Sequence, residues 1–193
     1  MADENMNQDA PRSKPRPRCS VYIAASLDGF IARPDGGLDW LGIVESPGED
    51  YGYKVFFDSV DALVIGRKTY DTVLGFEKWP YEDKRVVVAT HAVSPGAAPG
   101  KHGETFYSGP LDMLLALLGA EGVRRVYVDG GVLIRSFLAA GLIDDVTLSV
   151  IPILLGGGIP LFGGVEQRVT LVSSRSFPSG LVQLCYNVHR APA

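Results

Sequence analysis

The stretch VYVDGGVLIRSFLAAG, residues 126–141, joins an apolar run to a helix-like segment through two adjacent glycines. The β-branched and aromatic residues before Asp129 predict a buried strand. Three apolar residues of the second half recur at helical spacing: Ile134, Phe137 and Leu138. Gly141 is a typical helix stop. Between the two elements, Gly130 and Gly131 form a tight turn in the simpler interpretation. The alternative is that bare backbone meets a phosphate or a flat ring there.

The same alternation of strand and helix extends over the first two-thirds of the chain. Further strands are predicted at residues 19–25, 61–66, 84–90 and 104–108, a short helix or turn at 67–74, and a further helix at 110–118. Another helix is expected to start near Ser46, with Pro47 at its first position and Glu49 completing a capping box.

The last third of the chain contains only strand patterns. Residues 144–153 alternate apolar and polar side chains, and residues 169–177 and 181–190 read as an antiparallel hairpin. We therefore predict an α/β fold with three layers, α/β/α. Its mixed sheet is mostly parallel and ends in the antiparallel C-terminal hairpin.

Length and composition indicate one soluble domain with a short tail. The chain has 193 residues, of which 46% are hydrophobic and 21% are charged. We expect residues 1–18 to form a disordered tail, because they are rich in proline and polar residues, and residues 19–193 to form the folded domain. The basic residues of this tail are expected to be solvated: Arg12, Lys14, Arg16 and Arg18.

Charge and motif content argue against several classes of protein. The net charge of −4 disfavours nucleic-acid binding, and no apolar stretch reaches the roughly 18 to 20 residues that a membrane span needs. The histidines are scattered, so we expect no metal site. Cys19 and Cys185 form neither a metal motif nor a disulfide framework, which favours a cytoplasmic protein.

Ligands of open α/β sheets bind beyond the carboxyl ends of the strands, and two more strand ends carry suitable residues. In VIGRKTY, Gly66 permits a tight turn, and Arg67 and Thr69 offer donors to a dinucleotide phosphate. An ordinary turn with solvated charges is the alternative. Thr90 and His91 follow the strand at 84–90, where they could meet an adenosine ribose or its phosphate.

As an ordered set, SLDGFIA, GRKTY, RVVVAT, DGG and LLGGGIPLF resemble the dihydrofolate reductase fold family. The resemblance covers nearly the whole chain after the tail. Within that family, the chain most resembles the branch that is named for the C-terminal reductase domain of riboflavin-biosynthesis deaminase-reductases. It implies an NADPH-dependent reductase that transfers a hydride to a small heterocycle, in the manner of a 5-amino-6-(5-phosphoribosylamino)uracil reductase.

The resemblance also implies a homodimer formed through the C-terminal strands and the segment LLGGGIPLF. The deaminase half of the bifunctional enzymes is missing, because neither H-x-E nor P-C-x-x-C occurs. A different class of function stays open: an NADP(H)-binding protein of the same fold that has no reductase activity and acts as a sensor or interaction module.

Cofactor contacts follow from the same resemblance. Ala24 and Ala25 match the backbone that contacts the nicotinamide carboxamide, and Ile31 matches the loop that closes over the nicotinamide. The adenosine and pyrophosphate segment is matched by Gly66, Arg67, Lys68 and Thr69, and the region of the 2′-phosphate by Thr90 and His91. Gly130 and Gly131 match the paired glycines of the family, whose linking peptide is cis, so we expect a cis bond here.

For the substrate, the resemblance implies Trp40 and Ser149 as neighbours of the pocket. Asp50 lies sixteen positions before Gly66, the spacing of the proton-donating acid in folate reductases, and a desolvated pocket would raise the pKa of Asp50. The alternative is that Asp50 is a first-turn helix acid. Lys84 stands where folate reductases carry an arginine for the folate tail, which disfavours folate. No arginine-rich set for a ribose phosphate is evident.

Overall fold

The strands are runs of β-branched and aromatic residues bounded by turn residues. The computed structural model describes residues 16–92 and 98–189, and the expected tail lies outside this part up to residue 15. The strands there are β1 Arg18–Ser26, β2 Phe30–Ala32, β3 Ala62–Gly66, β4 Arg85–Ala89, β5 Thr105–Tyr107, β6 Arg125–Asp129, β7 Asp145–Ile151, β8 Ile159–Pro160, β9 Val169–Ser176 and β10 Val182–Val188. The helices are α1 Tyr53–Asp58, α2 Arg67–Val73, α3 Leu111–Ala120 and α4 Gly131–Ala139, with a 3-10 helix at Asp39–Val44.

The main sheet has the order β5-β4-β3-β6-β1-β7-β10-β9. The strands from β5 to β7 in this order run parallel, and β10 and β9 add an antiparallel hairpin. The predicted fold class is therefore confirmed. The short antiparallel pair of β2 and β8 was not expected, since neither strand is long enough to show a periodic pattern.

Alternate residues of the central strands face two separate cores. In β3, Val64 packs with α3 and α4, whereas Leu63 and Ile65 pack with α1 and α2. All three side chains are fully buried. Because side chains alternate across a strand, a continuous apolar run is what a sheet covered on both faces requires. The three layers of the fold follow from this arrangement.

Two residues of the expected tail belong to the folded domain. Strand β1 begins at Arg18, and Arg18 Nε lies 2.6 Å from Asp145 Oδ2. Arg16 donates to both carboxylate oxygens of Asp144 at 3.0 Å. The expectation that these two arginines are merely solvated is wrong, because carboxylates at the start of β7 pair with them. The corresponding expectation for Arg12 and Lys14 lies outside the described residues.

The helix expected near Ser46 begins later, at Tyr53. Glu49 does not complete a capping box; its Oε1 accepts a hydrogen bond from the Tyr51 nitrogen at 2.8 Å. Asp50 instead supplies the side-chain acceptors at this end of the helix, and Gly52, at φ 86°, turns the chain into it. A left-handed residue before Tyr53 is incompatible with a helix running from position 47.

A single carboxylate fastens the glycine-rich segment after β7 to the turn after β1. Asp28 Oδ1 accepts hydrogen bonds from Ser26 Oγ at 2.6 Å and from the Leu155 nitrogen at 3.1 Å. Asp28 Oδ2 accepts another from the Gly156 nitrogen at 2.7 Å. The hydrogen bond from Ser26 is the largest of the causes that lower the pKa of Asp28. The turn and the distant segment are thereby joined through one side chain.

We predict that Asp28→Ala speeds amide hydrogen exchange at Leu155 and Gly156, because their acceptors are removed, while exchange within β1 stays unchanged. Mass spectrometry of peptic fragments measures both regions. Asp35→Ala is the matched control, since the hydrogen bond that Asp35 accepts is local and comes from the Gly37 nitrogen. Equal protection of residues 155 and 156 in Asp28→Ala and in the control would contradict this role.

Candidate functional site

The carboxyl ends of β3 and β6 lie side by side, and their glycines come into close contact. Ile65 and Asp129 are register partners in this parallel pair. A Cβ on Gly130 would lie 2.6 Å from Thr69 Oγ1 and 3.5 Å from the Gly66 nitrogen, so a side chain would not fit. The φ of Gly130 is 105°, a conformation that L side chains rarely adopt. The two glycine motifs of the sequence therefore lie next to each other at the carboxyl ends of two central strands.

The expected cis peptide between Gly130 and Gly131 is wrong: the described residues contain no cis peptide bond. The positive φ of Gly130 turns the chain into α4 with the bond in the trans form. A Cβ on Gly131 would lie 2.5 Å from Ile31 Cδ1. In this structure the pair is a tight turn covered by the tips of Ile31 and Thr69. A ligand could reach its backbone only after those flexible tips move.

Two basic side chains flank this turn on the β3 side. Arg67 and Lys68 occupy the first turn of α2 and are exposed. Arg67 Nε lies 2.9 Å from Asp71 Oδ1, and its guanidinium carbon lies 5.7 Å from the centroid of the Tyr70 ring. This exposed ion pair can be given up at little cost in stability. Both cations are thus available to an anion at the strand ends.

Thr90 and His91 follow the carboxyl end of β4, the strand next to β3 in the sheet. Ala89, the last residue of β4, is the register partner of Gly66. Thr90 is buried, and its Oγ1 accepts a hydrogen bond from the Ala92 nitrogen at 3.1 Å. His91 is exposed. Of this pair, His91 is the one whose side chain is accessible to a ligand.

A cavity of about 760 Å³ opens over the face of β1 and β7 that carries Tyr22, Ala24, Ser149 and Ile151. Its lining residues are Tyr22, Ala24, Leu41, Val44, Glu45, Ser46, Pro47, Glu49, Asp50, Tyr51, Tyr53, Ser149, Ile151 and Leu181. Ala24 is therefore at the wall, whereas Ala25 is 2% exposed and belongs to the core. This volume is in the range of sites for small organic ligands.

Hydroxyl groups and one amide form a polar network at the cavity. Gln183 Nε2 lies 2.9 Å from Tyr22 Oη and 3.1 Å from Ser149 Oγ, and donates to these acceptors. Tyr22 Oη donates to the Tyr51 carbonyl at 2.7 Å. Burial, the largest cause, raises the pKa of Tyr22, so this hydroxyl keeps its proton. Two neutral hydroxyls are thereby fixed at the wall, one on β1 and one on β7.

Tyr51 is held in a strained conformation at the rim of the cavity. Its φ is 57°, in the left-handed region that a tyrosine rarely occupies. Its hydroxyl donates to the Val44 carbonyl and lies 2.9 Å from Ser179 Oγ, and its ring packs edge-on against Phe177. Contacts from several distant segments thus determine the position of one residue. Strain maintained in this way is typical of binding sites.

Asp50 lines the cavity, but the expectation that desolvation raises its pKa is wrong. Asp50 is exposed, and its carboxylate accepts hydrogen bonds from the Lys54 nitrogen at 3.0 Å and the Gly52 nitrogen at 2.8 Å. These bonds, with Lys54 first, lower the pKa of Asp50. The alternative interpretation as an acid at the start of a helix therefore describes this structure.

Trp40 lies behind the cavity wall and does not line the cavity. Its side chain is 1% exposed and packs in an apolar cluster with Val44, Ile151, Phe177 and Leu181. Its indole Nε1 has no hydrogen-bond partner among the described residues. Ser149, the other expected substrate residue, does reach the wall. Trp40 acts on the cavity through the packing of its walls.

Asp129 ends β6 directly before the glycine turn and is not among the described residues that line the cavity. Its Oδ1 accepts a hydrogen bond from the Gly130 nitrogen at 2.8 Å. Burial outweighs this bond and raises the pKa of Asp129 to about 6. Its charge adds to burial, the main cause, in raising the pKa of three tyrosines: Tyr53, Tyr81 and Tyr127. An acid that titrates near neutrality therefore lies close to Tyr53 at the cavity wall.

Sequence reasoning missed Tyr22, Tyr51 and Gln183 and assigned no role to Asp129. The sequence did contain an indication that Gln183 belongs to the site. Gln183 is a polar residue within an apolar strand pattern, and pairing of β10 with β7 makes it the register partner of Ser149. Tyr51 offered no such signal, because its position depends on contacts from segments far away in the chain.

Two negative findings concern the described residues. No group of three or more histidine, cysteine, aspartate or glutamate side chains is arranged to hold a metal ion there. None of the helices in that part of the chain is both long and apolar enough to cross a membrane.

A family model and curated relatives with similar sequences point to the same family. The family model described as the RibD C-terminal domain matches residues 17–183. The Bacillus subtilis protein named "Uncharacterized protein YwjB" is 38% identical over 170 residues, which cover 86% of this chain and 95% of that protein. The riboflavin biosynthesis protein RibD of Corynebacterium ammoniagenes is 30% identical over 157 residues, covering 75% of this chain and 45% of that longer protein.

Solved structures agree with the fold. A Shewanella sp. PV-4 structure named for riboflavin biosynthesis has a TM-score of 0.83 and 38% identity, covering 90% of this chain and 99% of that one. The Thermotoga maritima diaminohydroxyphosphoribosylaminopyrimidine deaminase/5-amino-6-(5-phosphoribosylamino)uracil reductase has a TM-score of 0.70 and 18% identity, covering 90% and 57%. At that low identity, the second comparison shows the fold alone.

We predict that Asp129→Asn stabilises the protein above pH 6. The unfolded chain loses this proton near pH 4 and the folded protein near pH 6, because burial raises the pKa of Asp129 to about 6. Folding therefore loses stability as the pH rises between these values, by about 3 kcal/mol in total. Below pH 4 both states are protonated and the difference vanishes. Asparagine carries no charge and removes this penalty.

Urea unfolding at several pH values between 4 and 8 measures this effect. The free energy of unfolding of Asp129→Asn should exceed that of the parent protein by up to about 3 kcal/mol at pH 7.5 and by little at pH 4. Asp35→Asn, at an exposed turn, is the control. A gain of the same size at both pH values would show that the effect is not electrostatic.

Proposed function

The chain belongs to the RibD C-terminal domain family, and on that premise we propose that it is an NADPH-dependent reductase of a small heterocycle, such as an aminopyrimidine. One observation carries the proposal. Strands β3, β6 and β1 are consecutive in the sheet. The first two end in the glycine turn beside Arg67 and Lys68, and the third carries Ala24, two residues before its end, in the cavity wall. A dinucleotide along this edge would have its reactive ring next to the cavity.

The residues at the glycine turn fit an anionic dinucleotide. The first-turn nitrogens of α2 and α4 have no partner within their own helices and point to this edge of the sheet. Arg67 and Lys68 add positive charge, and Thr69 adds a hydroxyl. Gly130 keeps the backbone free of a side chain where the two helices start. Ile31 would have to change rotamer to uncover Gly131, which a side-chain tip can do.

When bound, NADPH supplies the hydride for such a reduction. The chain's own residues would position the substrate and manage a proton. Tyr22 and Ser149 present hydroxyls held by Gln183, and these can orient the polar edge of a flat ring. Asp129 Oδ1 is bonded to the Gly130 nitrogen, which leaves Oδ2 to carry a proton. Its pKa of about 6 suits proton transfer near neutral pH better than the lowered pKa of Asp50.

We expect Arg67→Ala and Lys68→Ala each to weaken NADPH binding by about tenfold, because each removes a charge-assisted contact with phosphate. A fluorescence titration of NADPH at fixed ionic strength gives the dissociation constant. Arg124→Ala is the control, because Arg124 is an exposed cation that precedes β6, at the opposite edge of the sheet. An unchanged dissociation constant in both variants would contradict this cofactor position.

Turnover distinguishes the reductase from a nucleotide-binding protein without activity. NADPH oxidation is followed at 340 nm with a panel of aminopyrimidines, pterins and dihydrofolate. Oxidation with at least one compound, abolished or strongly reduced in Asp129→Asn, is the expected result. Tight NADPH binding with no oxidation across the panel would favour a sensor or interaction module.

We also propose that the protein is a homodimer in which a second copy covers β9. Every residue of β9 is exposed, and among the described strands it pairs with β10 alone, as the last strand of the sheet. Val169, Leu171 and Val172 are 46%, 51% and 60% exposed. An edge strand with exposed apolar side chains is a typical site of association.

We expect Leu171→Asp to convert the dimer into a monomer, because a charge in a buried contact is costly to desolvate. Light scattering coupled to size-exclusion chromatography measures the mass, and circular dichroism verifies the fold. Leu117→Asp is the matched control, since Leu117 is 52% exposed on α3. A parent protein of monomer mass, or a Leu171→Asp variant that remains a dimer, would contradict the proposal.

A further inference from the structure

We infer that the cavity selects an unphosphorylated heterocycle, uncharged or positively charged, and rejects a phosphoribosyl compound. The inference rests on the proposed function, because it names the substrate class of that same cavity. Its starting point is the charge of the lining. Three lining residues are acidic, Glu45, Glu49 and Asp50, and no lysine, arginine or histidine is among the described residues that line the cavity.

Two described cations, Lys54 and Arg33, pair with carboxylates that do not line the cavity. Lys54, next to the cavity residue Tyr53, has its Nζ 3.1 Å from Asp58 Oδ2. Arg33 Nε lies 2.7 Å from Asp39 Oδ1. Neither Lys54 nor Arg33 is among the described residues that line the cavity.

Lys84, which stands where folate reductases carry an arginine for the folate tail, makes its contacts outside the cavity lining. Its Nζ donates to the Val60 carbonyl at 2.7 Å and lies 5.4 Å from the centroid of the Phe57 ring. The lysine thus closes the C-terminal end of α1 against β4. An anionic substrate tail would have to displace it from a half-buried contact.

The polar groups at the wall suit a neutral ring. Tyr22 and Ser149 carry hydroxyls, and the raised pKa of Tyr22 keeps its hydroxyl protonated. Ser149 is only 4% exposed, so its hydroxyl lies at the inner end of the site. Hydroxyls can donate to and accept from ring nitrogens and carbonyls, but they cannot balance the charge of a phosphate dianion.

The acids at the rim add repulsion. Asp50 stays ionised, because the bonds from the Lys54 and Gly52 nitrogens lower its pKa. Glu49 accepts a bond from the Tyr51 nitrogen, which holds its carboxylate at the rim. A phosphate entering there would meet like charge at short range, whereas an amino group would be attracted. The Thermotoga maritima enzyme, by its name, acts on a phosphoribosyl compound, so this chain differs in substrate class.

The test uses the full-length protein with NADPH and a matched pair of ligands. These are 5-amino-6-(ribosylamino)uracil and its 5′-phosphate, which differ only in the phosphate. Isothermal titration calorimetry measures binding, and absorbance at 340 nm measures turnover. We expect the unphosphorylated compound to bind at least tenfold more tightly. Added salt should improve binding of the phosphate and leave that of the nucleoside unchanged, because salt screens the rim charges.

A charge-reversal variant tests the cause. Glu45 is exposed at the rim, and Glu45→Lys should improve binding of the phosphorylated compound about threefold to tenfold without changing that of the nucleoside. Glu121→Lys makes the same change of charge at the end of α3, on the opposite face of the sheet, where Glu121 pairs with Arg85. It should leave both affinities unchanged.

The outcomes separate this inference from the proposed function. A phosphorylated compound that binds as well as the nucleoside, or absence of binding by both, overturns the inference. Preferential binding of the nucleoside without NADPH oxidation supports the inference and counts against reductase activity. Equal responses of the two ligands to Glu45→Lys would show that the rim does not discriminate by charge.

Discussion

The close approach of Gly130 to Gly66 is the constraint on which the candidate site depends. Strands β3 and β6 run parallel as neighbours, so α2 and α4 begin next to each other. A Cβ at Gly130 would collide with Thr69 Oγ1, and a positive φ is required at the same position. Glycine satisfies both demands at once. Any side chain there would displace the Thr69 hydroxyl and would have to adopt a φ that L residues rarely take.

The substrate side depends on a strand from the other end of the chain. β10 returns antiparallel to β7 and brings Gln183 opposite Ser149. One amide then connects Tyr22 of β1, Ser149 of β7 and the carbonyl of Tyr51. The strained backbone of Tyr51 is maintained by these contacts and by Phe177 beyond β9. The C-terminal hairpin is therefore part of the site as well as the edge of the sheet.

Local patterns predicted the elements that local forces determine. β3, α2, β6 and α4 follow from apolar periodicity and from the glycines between strand and helix. The start of α1 was misplaced because Ser46 and Glu49 satisfy a capping pattern, yet the left-handed Gly52 decides where the helix begins. Trp40 was expected at the pocket because the family resemblance implied it. Its burial depends on long-range packing against Phe177, which no spacing in the sequence reveals.

Asp50 and Asp129 show why residue type and spacing did not identify the carboxyl group whose pKa is raised. Asp50 has the expected spacing, but it is exposed and accepts two backbone hydrogen bonds, so its pKa falls. Asp129 accepts one such bond and is desolvated at the end of a central strand, so its pKa rises to about 6. Burial disfavours the charged form, and donated hydrogen bonds favour it. The balance depends on where the sheet ends, and for that reason the raised pKa belongs to the residue that directly precedes the glycine turn.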